Sequence, residues 1–434
     1  MKMRKMILLA FAALAAASCT RGLDEPAVIG GDEIRFVVGD FPAFGGSETR
    51  AVGTDDRGKT EWAEGDELLL EMTSNTLGTK YAAFTYNGSN WELASGELSY
   101  KEDEYPTFPH VYYAPNYKWE AGKLVLKEDK VAGTDEFIEG IAQITPNGEA
   151  ITVSFSNAKR DYSRLRIATL PNVDVAVSVQ YFTPAGPASQ VSTTYTLHSD
   201  AKGNAYLYGS FVKNSTVSVA YGNAVLASYT FGKASEGGKS YVLDATVVSM
   251  EGMSGDSTKI MEAIEAEVKR GNKDIRLMLP YDLGKEEADG ILGGLDGLDA
   301  GSINLTLMGC KKIAFQGFKN CKQLKSVTLP DVTEICESAF AACSRLEKVV
   351  FGTPLTKVYG DPETFGGGIF EGCDTERIDL VLSGEQNQMS FSQVEGKDVW
   401  TAVERQPYKG CSGHMYSQFL GYTFMSVNCG GETH

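Results

Sequence analysis

The chain has 434 residues, more than one ordinary core organises, so two or three domains are expected. Apolar residues make up 42% and charged residues 22%, which excludes a disordered chain, and a net charge of −17 makes nucleic acid and anionic membrane surfaces poor partners. With 47 glycines, 20 Tyr and 20 Phe, the composition fits a β-rich chain with many turns.

The N-terminus reads MKMRKMILLAFAALAAASC, with Lys2, Arg4 and Lys5 ahead of an apolar run and then small residues. This is the pattern of a secretory signal peptide over 1–19, and the run is too short to span a bilayer as a mature helix. Cys19, after Ala16-Ala17-Ser18, resembles a bacterial lipobox, with Ala16 where the usual Leu would stand. The resemblance implies a lipidated Cys19 and a chain anchored at the outer membrane and exposed on the cell surface. An ordinary leader with a coincident cysteine is the alternative. Residues 20–50 lack periodicity and read as a tether and a first edge strand.

From 51 to 250 the pattern is short strands: DELLLEM (66–72), KYAAFTY (80–86), HVYYAP (110–115), AITVSFS (150–156), SRLRIATL (163–170), VDVAVSVQYF (173–182), NAYLYGSF (204–211), TVSVAYG (216–222) and KSYVLDATVV (239–248). Val173, Val175, Val177 and Val179 alternate and share one face. The fold class expected is mainly β, with one β-sandwich over 51–160 and a second over 161–250.

At about 250 the pattern changes. GDSTKIMEAIEAEVKRG (255–271) predicts a helix, capped by Asp256 or Ser257 and stopped by Gly271, with Ile260, Ile264 and Val268 on one face. A strand is expected over 274–280. KKIAFQGFKNCKQLKSVTLP (311–330) then aligns with TEICESAFAACSRLEKVVFG (333–352). Ile313 matches Ile335, Phe318 matches Phe340, Cys321 matches Cys343, Leu324 matches Leu346 and Val327 matches Val349, always 22 residues apart. Leu305 and Leu307 precede by the same step, and Phe370 and Cys373 repeat the Phe-x-x-Cys element after an insertion around Gly366-Gly367-Gly368. Leu324-x-x-Val327-x-Leu329 fits the leucine-rich-repeat core, whose stacked coils share one continuous interior. The pattern resembles the surface-antigen (BspA-like) leucine-rich repeat of bacterial cell-surface proteins. It implies a short leucine-rich-repeat solenoid over 251–390, with the 255–271 helix as N-terminal cap and 391–434 as C-terminal cap or tail. Cys343, in a column with Cys321 and Cys373, is expected to be a buried free thiol rather than half of a disulfide. Cys411 and Cys429 remain open between a cap and a disulfide pair.

A second resemblance rests on scattered motifs: TRAVG (49–53), Trp62-x-x-Gly65-Asp66, Tyr-Asn-Gly-x-x-Trp (86–91) and Tyr112-Tyr113-Ala114-Pro115. Together with the lipobox they resemble the fimbrillin family of Bacteroidetes surface lipoproteins. That family implies two transthyretin-like β-sandwiches and a role as pilus subunit or adhesin. In its polymerising members a protease cuts after an Arg near the N-terminus, and a neighbour's strand fills the opened groove. The matching bond here is Arg50–Ala51; an exposed linker residue is the alternative reading of Arg50. A repeat array at the C-terminal end departs from a shaft subunit and favours a tip or stand-alone adhesin.

Nothing in the sequence points to an enzyme. His110, His198, His414 and His434 form no metal-ligand pair, no two cysteines are separated by two residues, and no nucleophile elbow or phosphate loop is present. No cofactor and no metal are expected. GGLDGLDAG (293–301) lacks Ca²⁺-loop spacing and reads as a flexible turn. Trp62, Trp91, Trp119, Trp400 and Tyr112-Tyr113 pack in cores or stack on sugar rings, with core packing the favoured reading. Within the repeats, Ser326, Thr328, Lys348 and Val350, with Asp379 beyond them, face the open side and form the candidate binding face. The expected function is adhesion or macromolecular binding to a protein or glycan ligand. A fimbrial tip or anchor subunit and a carbohydrate-binding accessory protein are the alternatives.

Overall fold

The computed structural model describes residues 28–30, 35–42, 44, 58–101, 104–144, 150–155, 160–187, 193–222, 224–364, 367–410 and 417–430. Cys19, Arg50, Ala51, Cys411, His414 and His434 lie outside the described residues. The fold is mainly β, with two α-helices among those residues.

The first large sheet has seven strands in the order Arg35–Val38, Ala150–Ser154, Ile138–Ile144, Thr107–Tyr113, Glu67–Ser74, Gly78–Tyr86 and Trp91–Gly96. Arg35–Val38 runs parallel to Ala150–Ser154 at the edge. Leu68, Leu70, Met72, Val111, Ile138, Ile151 and Val153 alternate inward and bury one face. Trp62 and Trp91 lie 5.2 Å apart edge-to-face against this core, so they pack rather than present a platform. The second sheet runs Thr194–His198, Asp174–Pro184, Asn204–Tyr221, Ser163–Ala168 and Ser240–Asp244, with Ala224–Thr230 also paired to Asn204–Tyr221. Asn204–Tyr221 is one 18-residue strand where the sequence reads as two. Val175, Val177 and Val179 are buried, and Val173 packs against the same core.

The two sheets meet at a buried junction that is both polar and aromatic. Arg160 Nε donates to Glu136 Oε2 at 3.2 Å, with side-chain exposures of 4% and 5%. Arg160 Nη2 also donates to the Pro42 carbonyl at 2.7 Å, and its guanidinium lies 4.0 Å from the Phe44 ring. Tyr162 Oη donates to the same Glu136 Oε2 at 2.6 Å, while Arg160 Nη2 donates to Oε1 at 3.3 Å. Every charge in this cluster has a partner, which is the condition for burying it.

Val248–Ser249 opens a seven-stranded, wholly parallel sheet, continued by Asp274–Met278, Ile303–Met308, Leu324–Leu329, Lys348–Phe351, Asp379–Leu382 and Ser426–Cys429. This region therefore begins before residue 250, and Ser426–Cys429 returns to it from the supposed tail. The 390/391 boundary likewise cuts through the strand Asn387–Val394. Helix α1 (Ser257–Lys269) is capped by the Asp256 side chain, which accepts from the Lys259 amide, and buries Ile260 and Ile264. Helix α2 (Lys285–Leu295) corrects the flexible-turn reading at its first residues, since Gly293 and Gly294 are helical. A Cβ on Gly294 would lie 2.5 Å from Ile264 Cβ, so glycine is what lets α2 close on α1.

The 22-residue register becomes a set of columns. Phe318 and Phe340 stack with centroids 5.6 Å apart, and Phe340 and Phe370 at 5.8 Å. Phe318 N donates to Ala339 O, and Phe340 N to Ile369 O, so the turns form their own ladder between coils. Asn320, Ala342 and Gly372, two residues after each Phe, all have positive φ. Gly372 suits that conformation; Asn tolerates it and Ala342 is strained in it. Cys343 Sγ donates to Phe318 O at 3.0 Å and Cys373 Sγ to Phe340 O at 3.1 Å. Cys310, Cys321, Cys336, Cys343 and Cys373 are free thiols. Cys429 is disulfide-bonded. Gln386, buried just after the strand Asp379–Leu382, bonds back one coil: its amide donates to Leu355 O and accepts from Leu355 N.

Candidate functional site

In each strand of the parallel sheet, alternate residues point into the core and the rest point out. Leu324, Val327 and Leu329 are buried, leaving Ser326 and Thr328 outside. Val349 and Phe351 are buried, leaving Lys348 and Val350 outside. The structure brings these four together. Ser326 pairs in register with Lys348, and Thr328 with Val350.

The rows are longer than the sequence showed. One runs Asp274, Asn304, Ser326, Lys348, Asp379, Ser426; the next runs Arg276, Thr306, Thr328, Val350, Val381, Asn428. Asn304 and Thr306 sit 22 residues before Ser326 and Thr328, so the same register would have found them. Ser426 and Asn428 carried no such signal, because the hairpin of Asn387–Val394 and Lys397–Pro407 intervenes. Short polar side chains tie the first row together. Asn304 Nδ2 donates to Asp274 Oδ1, Ser326 Oγ to Asn304 Oδ1 and Ser426 Oγ to Asp379 Oδ1, each at 2.7 Å. These bonds fix the polar side chains before any partner arrives. Next to them Val350 and Val381 form a half-buried apolar pair. One end of the face is walled off, since Met278 and Met308 pack into the core of the second sheet.

The face is built of short polar side chains, one lysine and a valine pair. Among the described residues no group of three His, Cys, Asp or Glu could hold a metal ion. His110 hydrogen-bonds Glu139 at 3.1 Å and stacks on Tyr112, and His198 hydrogen-bonds Asp174 at 2.8 Å, both on the exposed surface. The thiols are the groups most shifted in the repeats. Burial pushes Cys310 up to about 12 and Cys373 to about 11, and it raises Cys343 still further. Such thiols are poor nucleophiles.

No helix among the described residues is long and apolar enough to cross a membrane. A comparison with curated proteins gives no match. Among solved structures, a protein of Bacteroides fragilis titled a "putative cell adhesion protein" is 12% identical, over 50% of this chain and 93% of that one, with a TM-score of 0.27. Residues 300–375, the stretch that builds the Phe and Cys columns, match the family model described as BspA type leucine rich repeat region, in six copies.

Proposed function

We propose that the chain is a cell-surface adhesin or binding protein, anchored in the outer membrane through a lipidated Cys19, that engages a protein partner through the outer face of its parallel sheet. In this reading the two N-terminal sheets are β-sandwich modules that carry a short leucine-rich-repeat solenoid away from the membrane. The observation that carries it is the pair of in-register rows. Val350 and Val381 make an apolar centre, and Ser326, Thr328, Asn304, Lys348 and Asp379 make a polar surround. An apolar centre inside a hydrogen-bonding rim is how protein interfaces are built. Extracellular sugar is the weaker fit to this face, because no aromatic side chain stands on it.

The test uses the full-length chain on an array of extracellular-matrix and cell-surface proteins. The parent is expected to capture at least one protein. Val350→Arg, at the centre, should weaken that capture by about tenfold or more while leaving thermal stability unchanged. Equal capture by the variant would overturn the assignment of the face. Cys19→Ser should release the chain from membranes into the medium, and a variant that stays membrane-bound would remove the anchor from the reading.

A further inference from the structure

The strands that close the end of the repeats carry a feature that the sheet face does not use. A cleft of about 160 Å³ lies between the hairpin Asn387–Val394/Lys397–Pro407 and the small hairpin Ser417–Phe419/Tyr422–Phe424. Trp400, Tyr408, Phe419 and Met389 line it, with the amides of Gln388 and Gln418 beside them. None of its described lining residues carries a charge. We propose that this cleft binds a single uncharged sugar ring, the exposed end of a glycan.

Size, charge and polarity each narrow the choice. Pockets for drug-sized ligands run to roughly 300–1,000 Å³, so this one takes about one ring. With no ammonium, guanidinium or carboxylate among the described lining residues, they offer an ionic ligand no counter-charge. Sugars present C–H faces that pack on aromatic rings and hydroxyls that both donate and accept. The cleft offers both kinds of surface. Tyr408 and Phe419 meet edge-to-face at 5.2 Å, and Trp400 packs beside Phe391 at 5.2 Å. Tyr408 Oη donates to the Gln418 carbonyl, which leaves its lone pairs to accept. The Gln418 side chain is exposed and spends no hydrogen bond among the described residues, where Gln388 Nε2 reaches only the Pro407 carbonyl at a long 3.4 Å.

Trp400 shapes the wall of the cleft. Its Nε1–H is buried, without a hydrogen-bond partner among the described residues, so the ring rather than the N–H is what the cleft presents. Gly421, which lines the cleft, sits against both Pro362 and the Trp400 ring. The indole therefore serves the cleft as an apolar wall, the surface on which the C–H face of a sugar packs. An apolar peptide side chain would leave both amides unused.

The experiment is saturation-transfer NMR on the full-length chain, titrated separately with glucose, galactose, mannose and N-acetylglucosamine. At least one is expected to saturate, with a dissociation constant of about millimolar order, as suits a single ring. Gln388→Ala and Gln418→Ala should each weaken it by about five- to tenfold, the loss of one hydrogen bond. Val350→Arg should leave it unchanged, which separates this site from the sheet face. The proposal is overturned if none of the four sugars saturates, if the two glutamine variants bind like the parent, or if Val350→Arg removes binding.

Discussion

The N-terminal sheets and the C-terminal repeats solve the same burial problem in different ways. In the repeats, each coil presents the same residue at the same place, and the core is a stack of columns: Phe318, Phe340, Phe370 in one and Cys321, Cys343, Cys373 in another. Each column member touches its neighbours one coil away, so stability is a sum over adjacent coils. In the N-terminal sheets no residue recurs at a fixed coil-to-coil step, and the decisive contacts are long in sequence. Glu136 meets Arg160, Tyr162 reaches back to Glu136, and Arg160 grips Pro42 from 118 residues away. The lesson is that a repeat can be damaged one coil at a time, whereas the junction fails as a network.

The sharpest way to break that contrast is Phe340→Ala. Phe340 is fully buried between two stacked rings. Removing it should cost about 3–5 kcal/mol. Hydrogen exchange read peptide by peptide should show the loss of protection centred on 318–373 and fading along the repeats, with 67–154 unaffected. Uniform loss over the whole chain would mean that the repeats and the sheets fold as one unit and that the column description is wrong.

A smaller effect is expected at Cys343. Its thiol is 1% exposed and donates to the Phe318 carbonyl across coils. Cys343→Ser keeps a donor but brings a more strongly hydrated hydroxyl into an apolar column, for a cost of about 1–2 kcal/mol. Chemical denaturation followed at Trp400, the tryptophan of the repeat region, should show an earlier midpoint. A midpoint identical to the parent's would show that the thiol column contributes no packing.

The same contrast explains what could be read from the sequence. The columns were legible because identical spacing puts identical residues into contact, so Phe318 over Phe340 and Cys321 beneath Cys343 needed only counting. Ser326, Thr328, Lys348 and Val350 followed as the positions left over. The far end of that face was not legible. Ser426 and Asn428 reach the sheet only after a hairpin that no period foretells, and Gln386 ties back to Leu355 through one side-chain amide. Helix α2 escaped because Gly290, Gly293 and Gly294 lower helix propensity; only their fit against Ile260, Met261 and Ile264 explains them. Nothing local marked the Glu136–Arg160 junction, because a buried ion pair between distant segments has no sequence period at all.

Alkali should separate the two regions most gently. Burial raises the thiols of Cys310, Cys321, Cys343 and Cys373, with Cys310 reaching about 12 and Cys373 about 11, while an unfolded thiol ionises near 8.5. Above about 8.5 the unfolded repeats lose protons that the folded ones keep. A folded state that binds more protons loses stability as pH rises, so the thiol contribution is whole below about 8.5 and drains away as pH climbs through the folded values. In the N-terminal sheets the raised groups are tyrosines. Burial lifts Tyr112 and Tyr195 to about 12 and Tyr162 and Tyr208 well up, from an unfolded value near 10. The same sign applies to them, with an onset roughly 1.5 pH units later. Between pH 8 and about 10 the urea midpoint of the repeats should therefore fall while that of the N-terminal sheets holds. Peptide-resolved exchange at fixed urea would read both at once. If the N-terminal sheets weakened first, or both together from pH 8, the thiol columns would not be the alkali-sensitive part of the molecule.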